Sequence, residues 1–302
     1  MNTRNRNAII ALVSAGVLWG LTVPLSKLAL GWLSPGWLTV ARFMLAAPGL
    51  ALLGRHGLRA ACTPSIAASG VVGFGGVVLL QNAGIAHTSV THAAVLLGAV
   101  PVLVGVFAVG AARARQTGHV TPSGTGWGGY ALALAGVALV AGGSGGGSTM
   151  LGDGLVLAST VLSAAFITIQ PRLLEGKDAA AVTAVQVAAG TVLAAPIAAL
   201  TGPLPHAAAS ASPVAALVVL GIAGTLMPFW LFAFGQSRVP ASLAGAFVNI
   251  EPVVGAAIGW LAFGNPAGVG QLAGAVAVIA GIALTLLAPR HLRRRRLLAL
   301  GG

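Results

Sequence analysis

The chain has 302 residues, 57% of them hydrophobic and 7% charged, and a formal net charge of +12. A soluble domain carries about 25% charged residues, so a water-exposed surface over the whole chain is excluded and lipid is the main solvent. A single cysteine, Cys62, excludes an intrachain disulfide, and basic residues in short clusters between apolar runs fit membrane topology rather than a nucleic-acid face.

A helix needs about 20 apolar residues to cross the hydrocarbon. Ten candidates follow in chain order: Ala8–Ala29, Pro35–Leu53, Ser65–Ile85, Val90–Val109, Gly126–Ala141, Gly154–Gln170, Ala180–Leu200, Pro213–Phe234, Ala241–Phe263 and Val269–Leu287. The fold expected is all-α and integral to a membrane. The first run is long for a signal peptide and lacks a small-x-small cleavage site, so it is read as a retained helix. "GGSGGGSTMLGD", Gly142 to Asp153, is the most linker-like loop. The tail "RHLRRRRLLALGG" reads as an anchor on anionic headgroups, with a nucleic-acid patch as the weaker alternative.

Lysine and arginine orient the spans. Fourteen of the 16 basic residues fall on one side: Arg4, Arg6, Arg55, Arg59, Arg113, Arg115, Arg172, Lys177, Arg238, Arg290, Arg293, Arg294, Arg295 and Arg296. The other side receives Lys27, and Arg42 lies within the second span. Both termini are therefore expected in the cytoplasm, with the chain in the cell membrane.

The halves resemble one another. "THAAVLLGAVPVL" (Thr91 to Leu103) aligns with "SLAGAFVNIEPVV" (Ser242 to Val254) at an offset of 151, matching Pro101 with Pro252, Gly98 with Asn249 and Val100 with Glu251. Gly73 and Gly84 match Gly224 and Gly235 at the same offset, and "WGLTVPLSK" from Trp19 matches "AAFITIQPR" from Ala164 at 145. Five crossings per half is odd, so the second half enters from the opposite side, as in inverted-repeat secondary transporters. The expected division is 1–142 and 154–288 as two repeats, 143–153 as linker and 289–302 as tail.

At "LWGLTVPLSK" (Leu18 to Lys27), "ARF" around Arg42, "ALAGVALV" (Ala133 to Val140), "NIEPVVGAAIG" (Asn249 to Gly259) and "GQLAGAVAVIAGIAL" (Gly270 to Leu284), the chain resembles the EamA-type ten-helix transporters of the drug/metabolite transporter superfamily. The likeness covers nearly the whole chain and implies export of small metabolites: amino acids, nucleosides or toxic compounds. Two departures stand out. Where relatives carry a Gly-Glu pair after the fourth and ninth helices, this chain has "GAARARQ" and "FGNPAG", with Asn265 in place of the glutamate.

Polar residues inside spans are the site candidates, because charge at the bilayer centre costs about 2.5–3.5 kcal/mol on insertion scales. Glu251 lies about 15 Å deep and Arg42 about 10 Å deep at 1.5 Å per residue. Two readings of Glu251 stand: a site for a proton or a cationic substrate group, or a fixed pair with Arg42 near the Pro252 break. Asn249 sits about 200° from Glu251 on an ideal helix, so one of them faces the cavity; Phe247 and Val248 share the Glu251 face. Of the adjacent amides Gln81 and Asn82, one is expected in the cavity and the other as a cross-link between helices. Trp19 is a stacking surface or core packing. Trp230, beside Pro228, is a cavity aromatic or faces lipid. Gly255-x-x-x-Gly259 and Gly270-x-x-x-Gly274 read as packing faces.

An enzyme is disfavoured: there is no H-E-x-x-H, no Walker lysine motif and no pair of intramembrane carboxylates. The six histidines make no convincing metal set, and nothing resembles a ring of selectivity residues. The expectation is a secondary carrier for a small organic molecule, coupled to protons, with no cofactor or metal, and a monomer or homodimer; the alternatives are a facilitated-diffusion uniporter or channel and, less favoured, a non-transporting membrane scaffold.

Overall fold

Hydroxyl and carboxylate side chains start many of the helices, accepting from backbone N–H groups that a first turn leaves unpaired. The computed structural model describes residues 3–88, 93, 96–114, 119–121, 123–141, 149–207, 210–251, 253–255, 257, 268–287 and 291–293. α1 (Thr3–Trp19) and α2 (Thr22–Leu30) form one apolar run with a turn at Gly20 and Leu21. Ser34 caps α3 (Pro35–Leu53) through Trp37 N, with Pro35 at the first position, where its missing N–H costs nothing. After the short α4 (Leu58–Ala61), Thr63 caps α5 (Pro64–Gly70) in the same way. A wide π turn over Val71–Gly76 joins α5 to α6 (Val77–His87).

α7 (Val100–Ala114) and α8 (Gly124–Ala141) complete the first half. In the second half Thr149 caps α9 (Met150–Leu173) and Asp178 caps α10 (Ala179–Thr201). A second π turn, Ile222–Leu226, joins α11 (Ala211–Gly221) to α12 (Met227–Gln236). α13 (Ala241–Ala246) runs into a 3₁₀ turn over Phe247–Asn249, and α14 (Val269–Leu287) is the last helix described. The two π turns begin 151 residues apart, the offset at which the sequence matches Gly73 with Gly224.

Among the described residues, six helical segments are long and apolar enough to cross a membrane: Asn5–Leu30, Pro35–Leu53, Pro64–His87, Met150–Leu173, Ala179–Thr201 and Ala211–Gln236. They fall on the first, second, third, sixth, seventh and eighth expected spans. α7, α8, α13 and α14 lie where the fourth, fifth, ninth and tenth are expected. Within the fourth span, helical residues at Ala93, Leu96 and Leu97 are followed by a turn at Gly98 and Ala99 before α7, and Val90 lies outside the described residues. Gly98 is the sequence match of Asn249, where the ninth span also breaks from α-geometry. Pro252, Asn265, residues 258–267 of the ninth span, most of the linker and residues 294–302 lie outside the described residues. One addition to the all-helical expectation is a short antiparallel ladder between His119–Thr121 and His291–Arg293, joining the loop after α7 to the start of the tail.

Lipid is as apolar as leucine, so helices associate through close contact of small residues. A Cβ on Gly84 would stand 2.5 Å from Val156 Cγ2 and 2.9 Å from the Gly152 carbonyl oxygen. A Cβ on Gly235 would stand 2.5 Å from Leu12 Cγ and 3.3 Å from the Ala8 carbonyl oxygen. Gly84 and Gly235 are 151 residues apart, while Ala8 and Leu12 lie 144 before Gly152 and Val156. The packing therefore corrects the sequence offset of 145 at the first and sixth spans by one residue. α3 and α10 run antiparallel, Gly36 against Ala198 at one end and Gly54 against Ala181 at the other. α8 and α14 do likewise, Gly129 against Gly281 and Gly136 against Gly274. Large apolar side chains on the outer face of α14, among them Leu272, Val276 and Ile279, are exposed for lipid.

These contacts predict a sharp positional difference within α8. At Gly136 a Cβ would meet the Gly274 carbonyl oxygen at 2.6 Å, whereas at Gly128 nothing lies within 4 Å. Gly136→Ala is expected to cost about 1–3 kcal/mol through overpacking, read as a lower unfolding temperature in detergent, and Gly128→Ala to leave it unchanged or raise it.

Candidate functional site

The π turn of the second half sets the geometry of the site. Widening the turn takes carbonyls out of the regular ladder: Thr225 Oγ1 donates to Leu220 O, five residues back, at 2.9 Å. Arg42, from α3, enters there. Its Nε donates to Thr225 Oγ1 at 2.9 Å and its Nη2 to Gly224 O at 3.0 Å. The residue is 2% exposed. A guanidinium inside a membrane protein needs such partners, because an unpaired buried charge is the costliest group a fold can hold.

Arg42 and Glu251 line one partly open cavity. The two described hydrogen bonds of Arg42 go to the π turn. Glu251 keeps part of its surface open. The 3₁₀ turn before it explains which neighbour shares its face. Side chains three apart eclipse in a 3₁₀ turn, and Val248 lines the cavity with Glu251. Phe247, expected on that face, is 3% exposed and belongs to the core beside Leu12, Val104 and Val278. Asn249 is 1% exposed and is not on the cavity wall; among the described residues its Oδ1 has no hydrogen-bond partner.

The adjacent amides divide. Gln81 lines the cavity, while Asn82 donates through Nδ2 to Thr39 Oγ1 at 2.8 Å and ties α6 to α3. Trp19 lines the cavity with its ring against Phe229 and Phe232, at centroid distances of 5.8 and 4.9 Å. Trp230 is not on the wall. It packs with the cluster of Phe43, Phe74 and Leu226, because Phe229 and Phe232, three residues apart, take the inward face of α12.

Sequence reasoning missed Thr22, Phe74, Phe166, Gln170, Phe229, Phe232 and Gln236, which also line the cavity. Gln170 exchanges two amide hydrogen bonds with Gln186, at 2.9 and 2.8 Å, and Gln186 also donates to Ser69 Oγ. Gln236 donates to Ile167 O at 3.1 Å. A signal for the glutamines was available: amides deep in apolar spans need partners wherever they lie. From Thr225 to Gln236 α12 covers about 16 Å, at 1.5 Å per residue, with Phe229 and Phe232 between.

Part of the wall follows the internal repeat. Trp19 and Ser163, and Thr22 and Phe166, stand 144 residues apart. Gln81 and Phe232, Leu97 and Val248, and Val100 and Glu251 stand 151 apart. Matched positions thus face one cavity but carry different chemistry: a carboxylate against a valine, a carboxamide against a phenylalanine.

The EamA-like transporter family model matches residues 6–142 and again residues 150–287. The chain belongs to the EamA-like transporter family. As a family member it is a multi-pass membrane transporter rather than an enzyme. It is 24% identical over 294 residues to an uncharacterized transporter of Archaeoglobus fulgidus, covering 93% of this chain and 98% of that one. It is 27% identical over 296 residues to a probable terminal-alkyne amino-acid exporter of Streptantibioticus cattleyicolor, covering 96% of each. A crystal structure described only as that of a protein shares the fold with a TM-score of 0.79, at 21% identity, over 93% of this chain and 97% of the other. Among the described residues of this EamA-like transporter, no group of three His, Cys, Asp or Glu side chains is placed to hold a metal ion.

The split between the adjacent amides is directly testable. Asn82→Leu removes the bond to Thr39 and is expected to cost about 0.6–2 kcal/mol, the range of interhelical hydrogen bonds in membranes. Gln81→Leu is expected to leave thermal stability within about 0.5 kcal/mol and to change solute binding instead, as measured by ligand-induced stabilisation.

Proposed function

We propose that the protein is a ten-crossing secondary carrier whose halves are inverted repeats and which moves a small organic metabolite by alternating access. The observation that carries this reading is the paired glycine contact: Gly84 against Val156 and Gly235 against Leu12, at matched positions. Equivalent helices α3 and α10, and α8 and α14, run antiparallel, as an inverted repeat requires. The repeats on this reading are residues 1–142 and 154–288.

Two contacts of the same shape then sit at opposite ends of the cavity, and closing one while opening the other gives the two access states. At the end bearing Lys27, further bonds reinforce closure. Lys27 Nζ donates to Thr88 O at 3.0 Å, Thr88 Oγ1 donates to Asp153, and Thr149 Oγ1 donates to His87 O at 2.8 Å.

The direction proposed is export across the cell membrane, with both termini cytoplasmic, and the solute an amino-acid-like, nucleoside-like or drug-like compound. The Streptantibioticus relative carries an amino-acid exporter's name, which supports the first class. Glu251 is the proposed exchange site for a proton and substrate, since it is the carboxylate on the cavity wall. The presence of Arg42 on the same cavity favours a second reading, a fixed structural pair in a uniporter.

Proteoliposomes with an imposed pH gradient distinguish the two. Glu251→Gln is expected to lower gradient-driven uptake about tenfold or more while downhill exchange persists, general acid–base groups commonly contributing at least that much. Gradient-driven uptake unchanged in the variant would remove Glu251 from coupling. Orientation has its own test. Native Cys62, which is exposed, is expected to resist an impermeant thiol reagent added to intact cells. Leu204→Cys, 75% exposed at the native residue, is expected to react in a Cys62→Ser background; labelling of Cys62 from outside would reverse the topology.

A further inference from the structure

We infer that the solute this cavity selects is an amine with an apolar or aromatic body, bound through its ammonium, with no carboxylate needed. The inference rests on the carrier reading and narrows its substrate class. A zwitterion would need two complementary poles, Glu251 for its ammonium and Arg42 for its carboxylate. The second pole is already engaged. Arg42 gives Nε to Thr225 Oγ1 and Nη2 to Gly224 O, and it is 2% exposed. A carboxylate reaching for the side-on grip through Nε and Nη2 would have to break bonds holding α3 to the π turn, and the remaining N–H groups belong to a side chain with almost no open surface. Breaking those bonds would also leave the Gly224 carbonyl and the Thr225 hydroxyl short of a partner in a dry interior.

The open pole is the acidic one. Glu251 keeps part of its surface exposed on the cavity wall. Near it the wall is built of aromatic rings: Trp19 stands against Phe229 and Phe232, and Phe74 packs edge-on to Phe229 with centroids 4.6 Å apart. Ring faces attract cations and repel carboxylates. Gln81 adds a carboxamide oxygen able to accept a second ammonium hydrogen. Glu251 and the ring faces therefore favour a cation with an apolar body, the carboxamides can serve either charge, and the side-on edge of the group that would favour an anion is committed to the fold.

Three probes of one shape separate the charges: phenethylamine, phenylalanine and 3-phenylpropionate, titrated against the full-length protein in nanodiscs and read as thermal stabilisation. Phenethylamine is expected to bind about tenfold or more tighter than phenylalanine, since an unmatched buried charge costs at least that much, with 3-phenylpropionate weakest. Glu251→Gln is expected to abolish the advantage of the amine, while Glu251→Asp, which keeps the carboxylate, retains the ranking. Thr225→Val frees the Arg42 Nε and is expected to narrow the gap between phenylalanine and phenethylamine; Thr225→Ser keeps the hydroxyl and the wild-type gap. Phenylalanine binding as well as or better than phenethylamine to the wild type, or a ranking unchanged by Glu251→Gln, overturns the amine assignment. Proteoliposome flux of a panel of amino acids, nucleosides and amines keeps the two levels apart. Saturable flux of a non-amine together with no amine flux defeats the substrate class alone, and no saturable flux of any solute defeats the carrier reading as well.

Discussion

The contact between Arg42 and the π turn of the second half is the constraint on which the site depends. A guanidinium in a hydrocarbon setting must find acceptors within the protein, and a regular helix offers only the second lone pair of carbonyls already paired along the ladder. The π turn over Ile222–Leu226 changes that by shifting the local pairing, so that Gly224 O and Thr225 Oγ1 accept from Arg42. One irregular turn thus joins a helix of the first half to a helix of the second, and puts a positive charge beside the cavity without leaving it free for solvent.

Glycine does for the helices what the π turn does for the arginine. With no hydrophobic gain from helix association in lipid, contact depends on how closely backbones approach. Gly84 admits a neighbouring backbone to a distance that a Cβ would forbid, and a Cβ on Gly235 would force the Leu12 side chain to move. Both contacts also flank the cavity, where a larger residue would push α6 away from α9 or α12 away from α1. Packing and cavity shape are therefore one property of this bundle.

Much of this is legible in the sequence for a reason peculiar to membranes. Polar residues in lipid-scale apolar runs are rare, so Arg42, Glu251, Gln81 and Asn82 stand out from the residue order alone, and the placement of Gln81 on the cavity and Asn82 against Thr39 follows from their being adjacent on a helix. Aromatic residues carry no such signal. Trp230 and Phe229 look alike beside Pro228, and the choice between them depends on a π turn that shifts the helical phase of everything after it. The 3₁₀ turn at Phe247–Asn249 has the same effect on Phe247, which lies in the core, while Val248 stays on the wall where helical spacing puts it. A periodicity of 3.6 cannot anticipate either turn. The one-residue error at the first and sixth spans has a different cause: short matches of apolar residues slide against each other, and a glycine lodged against a particular side chain does not.

On the carrier reading, the two-fold arrangement also says where the preference between access states must lie. Contacts repeated at both ends of the cavity contribute nearly equally to both states and cancel in their difference. What remains are the positions where the repeat is broken. At the Lys27 end, Thr88 bonds to Asp153 and Thr149 to His87; the residues at the matching offsets, Val239 and Asn5, cannot reproduce that pair of hydroxyls. Within the cavity, Val100 answers Glu251 and Phe232 answers Gln81. A ligand shifts an equilibrium between states by its difference in affinity for them. A solute bound through Glu251 and Gln81 touches the unmatched residues, and so has the means to favour one state over the other; a solute held by the matched apolar positions alone would not.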